Sequence, residues 1–180
     1  MTIEEFIKID PAFNSSMFLS KVNNIFVQLF TSVMLNELDT VDHFISDEVY
    51  NYYNSKVLEL NKNNQRQMYE ELNVKRSMIK SISKTDTQYK IIVYLEARYM
   101  DYILDLNTGN MVIGNNQSRI QENYYLEFVR NIIVEEQSIA RKCKSCGAPM
   151  NVNASGKCNY CGAIYNQEDY DFILKRIEKI

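Results

Sequence analysis

The chain has 180 residues, of which 46% are hydrophobic and 24% are charged, a composition typical of globular proteins that argues against intrinsic disorder. The formal net charge is -3 and the sequence pI is about 5.3. This argues against duplex DNA as the main partner, because affinity for a phosphate backbone needs clustered positive charge. The length suffices for one domain of ordinary size and a small additional module.

The N-terminus does not resemble a secretion signal, since Met1 to Glu5 is acidic where a signal peptide is basic. The longest uncharged stretch, Val22 to Asn36, is shorter than the roughly 20 apolar residues that a membrane-spanning helix needs. All four cysteines lie in one short segment, which leaves none for a disulfide elsewhere and is typical of a reducing compartment. We therefore expect a soluble, cytoplasmic protein without a transmembrane segment.

Three helices are predicted in the first third of the chain. Asn14 or Ser15 can cap the first helix by accepting a hydrogen bond from a free backbone N–H. This helix carries apolar residues at helical spacing, which we expect to be buried: Phe18, Val22, Ile25, Phe26, Leu29 and Val33. A short second helix is expected over Asp39–Ile45, and a third, capped by Ser46, over Asp47–Leu60.

After the helices, the hydrophobic period changes from helical to alternating. Alternation starts near Leu72, and a long strand is predicted from Tyr89 to Leu104. A hairpin turn follows at Asn107-Thr108-Gly109-Asn110, whose glycine supplies a positive φ. A short strand from Met111 to Ile113 and a longer one from Arg119 to Ile132 complete the sheet. This order indicates an α+β domain with its helices packed on one face of a curved antiparallel sheet.

The cysteines form two C-x-x-C pairs separated by residues 147–157: Cys143, Cys146, Cys158 and Cys161. Four thiolates can close a tetrahedral Zn²⁺ site and leave no position for an activating water, so a structural zinc ion is favoured over a catalytic one. Basic residues flank both pairs and no carboxylate lies between residues 141 and 161, which favours deprotonated sulfur. Two disulfides, a redox pair or another metal are the alternatives, but the doubled spacing favours one structural zinc.

The last residues are predicted to form an amphipathic helix. Acidic residues begin this segment and basic residues end it, as the helix dipole favours. Its apolar positions are spaced as on one helix face: Tyr170, Ile173, Leu174 and Ile177. The chain is thus expected to divide into a domain over residues 1–140, a zinc ribbon over 141–166 and a C-terminal helix over 167–180.

Several short motifs, taken in their order, resemble a known family. Asp10-Pro11-x-Phe13 enters the long helix, Thr108-Gly109 lies between strands, Gly114 follows, and Phe128-x-Arg130 ends the last long strand. The order is similar to the Tim44-like domain family, the C-terminal domain of an import-motor subunit of the mitochondrial inner-membrane translocase, over about residues 8 to 135. Bacterial proteins similar to this one append a zinc ribbon to that domain.

The resemblance implies a cystatin-like cone fold, related to nuclear transport factor two, and a link to membranes or protein transport. The expected function is a non-enzymatic binding or scaffold module whose concave face holds a protein, peptide or apolar ligand, with peripheral membrane contact as a further implication. Tyrosines can line such a groove through ordinary apolar contacts with the phenol reaching water. The candidate groove residues are Tyr94, Tyr99, Asp101 and Tyr124.

Two alternatives remain open. The cone fold also hosts isomerases and dehydratases, so an enzyme using Asp101, Tyr99 or His43 would be favoured if these groups converged on a deep pocket, whereas a shallow, aromatic, acid-free groove would favour binding. Asp101 is instead expected to pair with Arg130, because an uncompensated charge on an apolar face is costly, and His43 is expected to be a packing residue. The second alternative, a nucleic-acid-associated ribbon, lacks an aromatic platform beyond Tyr160.

Overall fold

The computed structural model describes residues 1–132, 146–148, 160–161 and 171–180. In this part of the chain, three α-helices and a four-stranded antiparallel sheet confirm the predicted α+β class. The elements are α1 (Ile3–Ile9), α2 (Ser15–Leu35), 3₁₀ turns at Leu38–Thr40 and Asp42–Phe44, α3 (Asp47–Lys62), β1 (Gln65–Lys84), β2 (Gln88–Asp105), β3 (Met111–Asn131) and β4 (Ile173–Lys179). The strands neighbour one another in chain order, β1-β2-β3-β4.

Each α-helix begins at a side-chain cap that satisfies free backbone N–H groups of the first turn. Asn14 caps α2 and Ser46 caps α3, as predicted. α1 was not predicted. Its capping box joins the Glu5 N–H to Thr2 Oγ1 at 3.1 Å and the Thr2 N–H to Glu5 Oε2 at 2.8 Å. The Thr2-x-x-Glu5 spacing is the sequence signature of such a box.

The predicted apolar stripe of α2 is buried in the core. Phe26 and Leu29 have 0% exposure. By length and composition alone, α2 is also the one helix of the described residues that could cross a membrane, but eight of its residues are buried in this fold. The odd-numbered positions of β2 fill the same core with 0% exposure at Ile91, Val93, Leu95 and Ala97.

The region between α2 and α3 corrects one prediction: two 3₁₀ turns replace the expected second helix. Ile45, the residue after the second turn, is extended (φ −126°, ψ 154°) and forms a parallel bridge to Leu174 of β4. The Ser46 N–H donates to the Leu174 carbonyl at 2.9 Å. Pairing with β4 therefore draws this segment out of the helical conformation.

β3 is one strand where two were predicted. Its register against β2 shifts between the pairs Tyr99–Ile120 and Asp101–Asn115, so β3 carries extra residues there and is locally irregular. Gly114 lies beside this irregularity with φ +100°, and a Cβ on it would stand 2.2 Å from the Asp101 carbonyl oxygen. Only glycine fits so close an approach of two strands.

The predicted C-terminal helix is wrong for the last residues, which form β4. β4 pairs antiparallel with β3 from Tyr124 to Val129, and Ile173 and Leu174 are both buried, with 5% and 1% exposure. Without β4 that stretch of β3 would lack the backbone partner that the described structure gives it. Hydrogen bonding between the backbone groups of β3 and β4 therefore outweighs the helical spacing of the apolar residues.

The pairing predicted between Asp101 and Arg130 is also wrong. Arg130 Nη2 donates to Asp10 Oδ2 at 2.7 Å, and its guanidinium lies over the rings of Phe172 and Tyr89, 4.7 and 5.5 Å from their centroids. Arg130 is the register partner of Tyr89, near the opposite end of β2 from Asp101. At about 3.3 Å per residue, the two positions lie roughly 40 Å apart along the strand.

Candidate functional site

An open groove of about 460 Å³ runs along α2, beside Phe44. A groove of this size falls within the usual range for ligand sites. It is lined by Ser16, Met17, Ser20, Lys21, Asn24, Ile25, Gln28 and Phe44. None of these lining residues is acidic.

Helical spacing brings the lining residues together, since residues three and four apart share a face of the helix. Ile25 is buried at 3% exposure, whereas Met17 is 72% exposed and offers apolar surface. Lys21 is held in place: its Nζ lies 2.5 Å from Asp171 Oδ2 and donates to the Phe172 carbonyl at 2.9 Å. The groove thus combines apolar surface with hydroxyl and amide groups that can hydrogen-bond a peptide backbone.

A cluster of tyrosines lies on the helix-facing side of the sheet. The hydroxyls of Tyr99 and Tyr124 are hydrogen-bonded to each other, and both residues are buried, at 1% and 4% exposure. Tyr69 packs edge-on to Tyr99 with ring centroids 5.6 Å apart. Burial is the main cause that raises the pKa of Tyr53, Tyr69, Tyr99 and Tyr124. These phenols are therefore neutral hydrogen-bonding groups at physiological pH.

Asp101 lies at the edge of this cluster, directly opposite Tyr69 across the β1–β2 ladder. Its Oδ1 accepts a hydrogen bond from Gln67 Nε2 at 2.7 Å. Partial burial raises the pKa of Asp101, and Glu122 raises it further, whereas the Gln67 hydrogen bond and Lys179 oppose the shift. The carboxylate is thus less stable here than in water.

Of the four predicted groove residues, the structure brings Tyr99, Asp101 and Tyr124 together and places Tyr94 on the opposite face of the sheet. The Tyr94 hydroxyl donates to Asn123 Oδ1 at 3.0 Å, and its ring packs edge-on to Tyr125. Successive side chains of a strand point to opposite faces. The sequence already indicated the two faces, because Tyr94 stands at an even position of the strand and Tyr99 and Asp101 stand at odd positions.

His43 lies in the second 3₁₀ turn, away from Asp101. Its ring lies against Phe44 with centroids 3.8 Å apart, and its Nδ1 lies 3.4 Å from Asp42 Oδ1. The turn adjoins β4. Phe128 of β3 pairs with β4 on one side and with Ile91 of β2 on the other, so β4 lies near the Ile91 end of β2. The histidine and carboxylate that the enzyme alternative needs are therefore not brought together.

Of the predicted zinc ligands, Cys143 and Cys158 lie outside the described residues. Cys146 and Cys161 are exposed, and Gly147, directly after Cys146, has φ +71° with open space where a Cβ would be. Glycine adopts a positive φ without steric cost. Within the described ranges, no three His, Cys, Asp or Glu side chains group around a metal position, and these ranges hold only two of the four cysteines.

The chain resembles a known protein family and several solved structures. No curated protein matches the chain. The crystal structure of the intermembrane space region of the chloroplast protein ARC6 is similar with a TM-score of 0.46 and 9% identity, covering 89% of this chain and 95% of that chain. Residues 1–139 match the Tim44-like domain, close to the range that the short motifs indicated, and this chain therefore belongs to the Tim44-like domain family.

Proposed function

We propose that this protein is a non-enzymatic binding or scaffold module, linked to protein transport or membrane-associated assembly, that holds a segment of a partner protein in the groove along α2. The observation that carries the proposal is the groove itself, which is open and ligand-sized and, among the described residues, is lined without acidic side chains. Membership of the Tim44-like family supports the link to transport. A cytoplasmic location with peripheral membrane contact is part of the same proposal.

The lining indicates what kind of segment fits. The side chains of Ser16, Ser20, Asn24 and Gln28 offer donors and acceptors along one side of α2. Met17 and Phe44 offer adaptable apolar and aromatic contacts. We infer a peptide segment with one apolar face and free backbone groups, bound at the surface of the domain.

The C-terminal cysteines add a structural Zn²⁺ to the proposal, bound by Cys143, Cys146, Cys158 and Cys161. The exposed thiols of Cys146 and Cys161 and the positive φ of Gly147 fit such a ribbon. Zinc bound by four thiolates supplies folding energy and has no open coordination position for chemistry.

The enzyme alternative retains one supporting observation, the proximity of Asp101 to the hydrogen-bonded Tyr99–Tyr124 pair. Acid–base sites do place a carboxylate of raised pKa beside such groups. However, neither the α2 groove nor the small cleft beside Gln67, of about 10 Å³, is lined by Asp101. The groove on α2 supports binding better than the cluster supports catalysis.

A matched pair of substitutions tests the proposal. Ser20→Arg puts a long cationic side chain in the groove, and Ser55→Arg puts the same side chain on the solvent-exposed side of α3. The wild type and both variants are affinity-purified from native cells. The proteins that co-purify with each are then compared by quantitative mass spectrometry. We expect Ser20→Arg to lower recovery of the specific partner about tenfold, which is about 1.4 kcal/mol, and Ser55→Arg to leave it unchanged. Equal recovery by all three proteins would refute the role of the groove.

A further inference from the structure

Lys21 is the only charged side chain among the described residues that line the α2 groove. It is 25% exposed, so water and salt screen its ammonium group less than they screen a fully exposed one. Its Nζ lies 2.5 Å from Asp171 Oδ2 and donates to the Phe172 carbonyl at 2.9 Å. An ammonium has three N–H donors. The groove therefore contains a cation of fixed position with one N–H left for water or a ligand.

The fold holds the two oxygens that contact Lys21 with different firmness. Phe172 is 2% exposed and packs edge-on to Phe18 of α2 with ring centroids 5.3 Å apart, so its carbonyl is a fixed partner. The Asp171 side chain is 56% exposed, and its Oδ1 accepts a hydrogen bond from the Phe172 N–H at 2.7 Å. Water can solvate this carboxylate when it leaves Lys21. Another carboxylate can therefore replace Asp171 at little cost.

The lining of the groove carries positive charge only. Ser16 and Met17 belong to the first turn of α2, which has no acidic residue, whereas the first turns of α1 and α3 each have two. The positive end of the helix dipole thus acts in the same direction as the charge of Lys21. The negative charge beside Lys21 comes from Asp171, which is not a lining residue. Such a lining is complementary to a negatively charged ligand.

We propose that the groove takes an acidic segment of the partner protein, in which an Asp or Glu carboxylate binds Lys21 in exchange for Asp171. Asp171 is then an internal competitor that neutralises Lys21 while the groove is empty. Met17 and Phe44 line the same groove and offer contacts for an apolar residue next to the acidic one. The inference rests on the proposed function, since it names the chemistry of the segment that the groove holds.

A phage-displayed library of random short peptides tests the inference on the full chain. Selection is run in parallel on the wild type and on Ser20→Trp, which fills the groove without changing its charge. Peptides enriched by the wild type alone depend on the groove, and we expect them to contain Asp or Glu beside an apolar residue more often than the unselected library. Groove-dependent peptides without this enrichment would overturn the inference and leave the proposed function standing. Absence of any groove-dependent peptide would contradict both.

A selected acidic peptide then locates the carboxylate by calorimetry. Lys21→Gln should weaken its binding about tenfold. Replacing the acidic residue of the peptide by its amide should weaken binding to the wild type to a similar extent, and the two changes together should add little, because both remove the same ion pair. Lys175→Gln is the matched control. Lys175 also lies beside a carboxylate, 3.6 Å from Glu48 Oε1, but it does not line the groove, and its replacement should leave the affinity unchanged.

Asp171→Asn tests the exchange itself. Removing the internal competitor should strengthen binding of the same acidic peptide about threefold or more, whereas the amide peptide should bind this variant and the wild type equally. Urea unfolding of each variant shows whether the fold is kept. Binding of the acidic peptide that a folded Lys21→Gln leaves unchanged, or that a folded Asp171→Asn fails to strengthen, would overturn the proposal.

Discussion

Arg130 joins the two motifs that first indicated the family. Its ion pair to Asp10 connects the segment before α2 with the end of β3, and both side chains are largely buried, at 21% and 17% exposure. The guanidinium also covers Phe172, the residue just before β4. One arginine thus holds three separate parts of the chain together, which explains why a motif near the N-terminus and a motif near residue 130 occur in one domain.

A double-mutant cycle measures this connection. Asp10→Ala and Arg130→Ala should each destabilise the protein, and their coupling energy should be about 1–3 kcal/mol, between the values for exposed and fully buried pairs. The measurement is the free energy of unfolding in urea. As a control, Asp101→Ala and Arg130→Ala should be additive within about 0.5 kcal/mol, because they lie far apart. Coupling in the control cycle and none in the first would contradict the observed pairing.

Asp101 should make stability depend on pH. Because the pKa of Asp101 is higher in the folded protein than the ordinary value of 3.8, the folded state binds more protons than the unfolded state in the pH range between the two pKa values. The free energy of unfolding therefore falls as pH rises through the folded pKa. Asp101→Asn should be more stable than the wild type at neutral pH, and this advantage should disappear below about pH 3.8. An advantage that does not change between pH 3 and 7 would show that the carboxylate is not destabilised by burial.

At the scale of elements, the sequence predicted the helices and strands that follow from a regular hydrophobic spacing. It missed features that depend on contacts with distant parts of the chain. The stripe of α2 and the alternation of β2 follow from local spacing, and both were found. β4 was predicted as a helix because Ile173, Leu174 and Ile177 fit helical spacing. It is a strand because its backbone pairs with the edge of β3. The groove along α2 was missed because the serines and amides that line it look like an ordinary exposed helix face.

The zinc ribbon is the element that remains a prediction. Protein prepared without added zinc should contain about one equivalent of Zn²⁺ by elemental analysis. Cys158→Ser should lose the metal but keep most of its far-UV circular dichroism, because the large domain has its own core. Fully reduced, folded protein with almost no metal would exclude the ribbon.

At the scale of the whole molecule, one sheet separates surfaces of different chemistry. The helix-facing side holds the core and the tyrosine cluster, and α2 carries the groove along its length. The opposite face of the sheet carries Tyr94, Tyr125 and the buried carboxylate of Glu96, which pairs with Lys75 and Arg76. A scaffold needs such separate surfaces, because it must keep its core closed while it holds a partner.

Site-specific photo-cross-linking tests the central claim, that a partner protein occupies the groove along α2, most directly. A benzophenone amino acid is placed at Ser20 in the groove or at Ser55 on α3, and native cells are irradiated before mass spectrometry. The account predicts a cross-linked protein at Ser20 that is absent at Ser55 and is displaced when Met17 is replaced by aspartate. The same products at both positions, or none at Ser20 in cells that express the protein at its natural level, would contradict the claim.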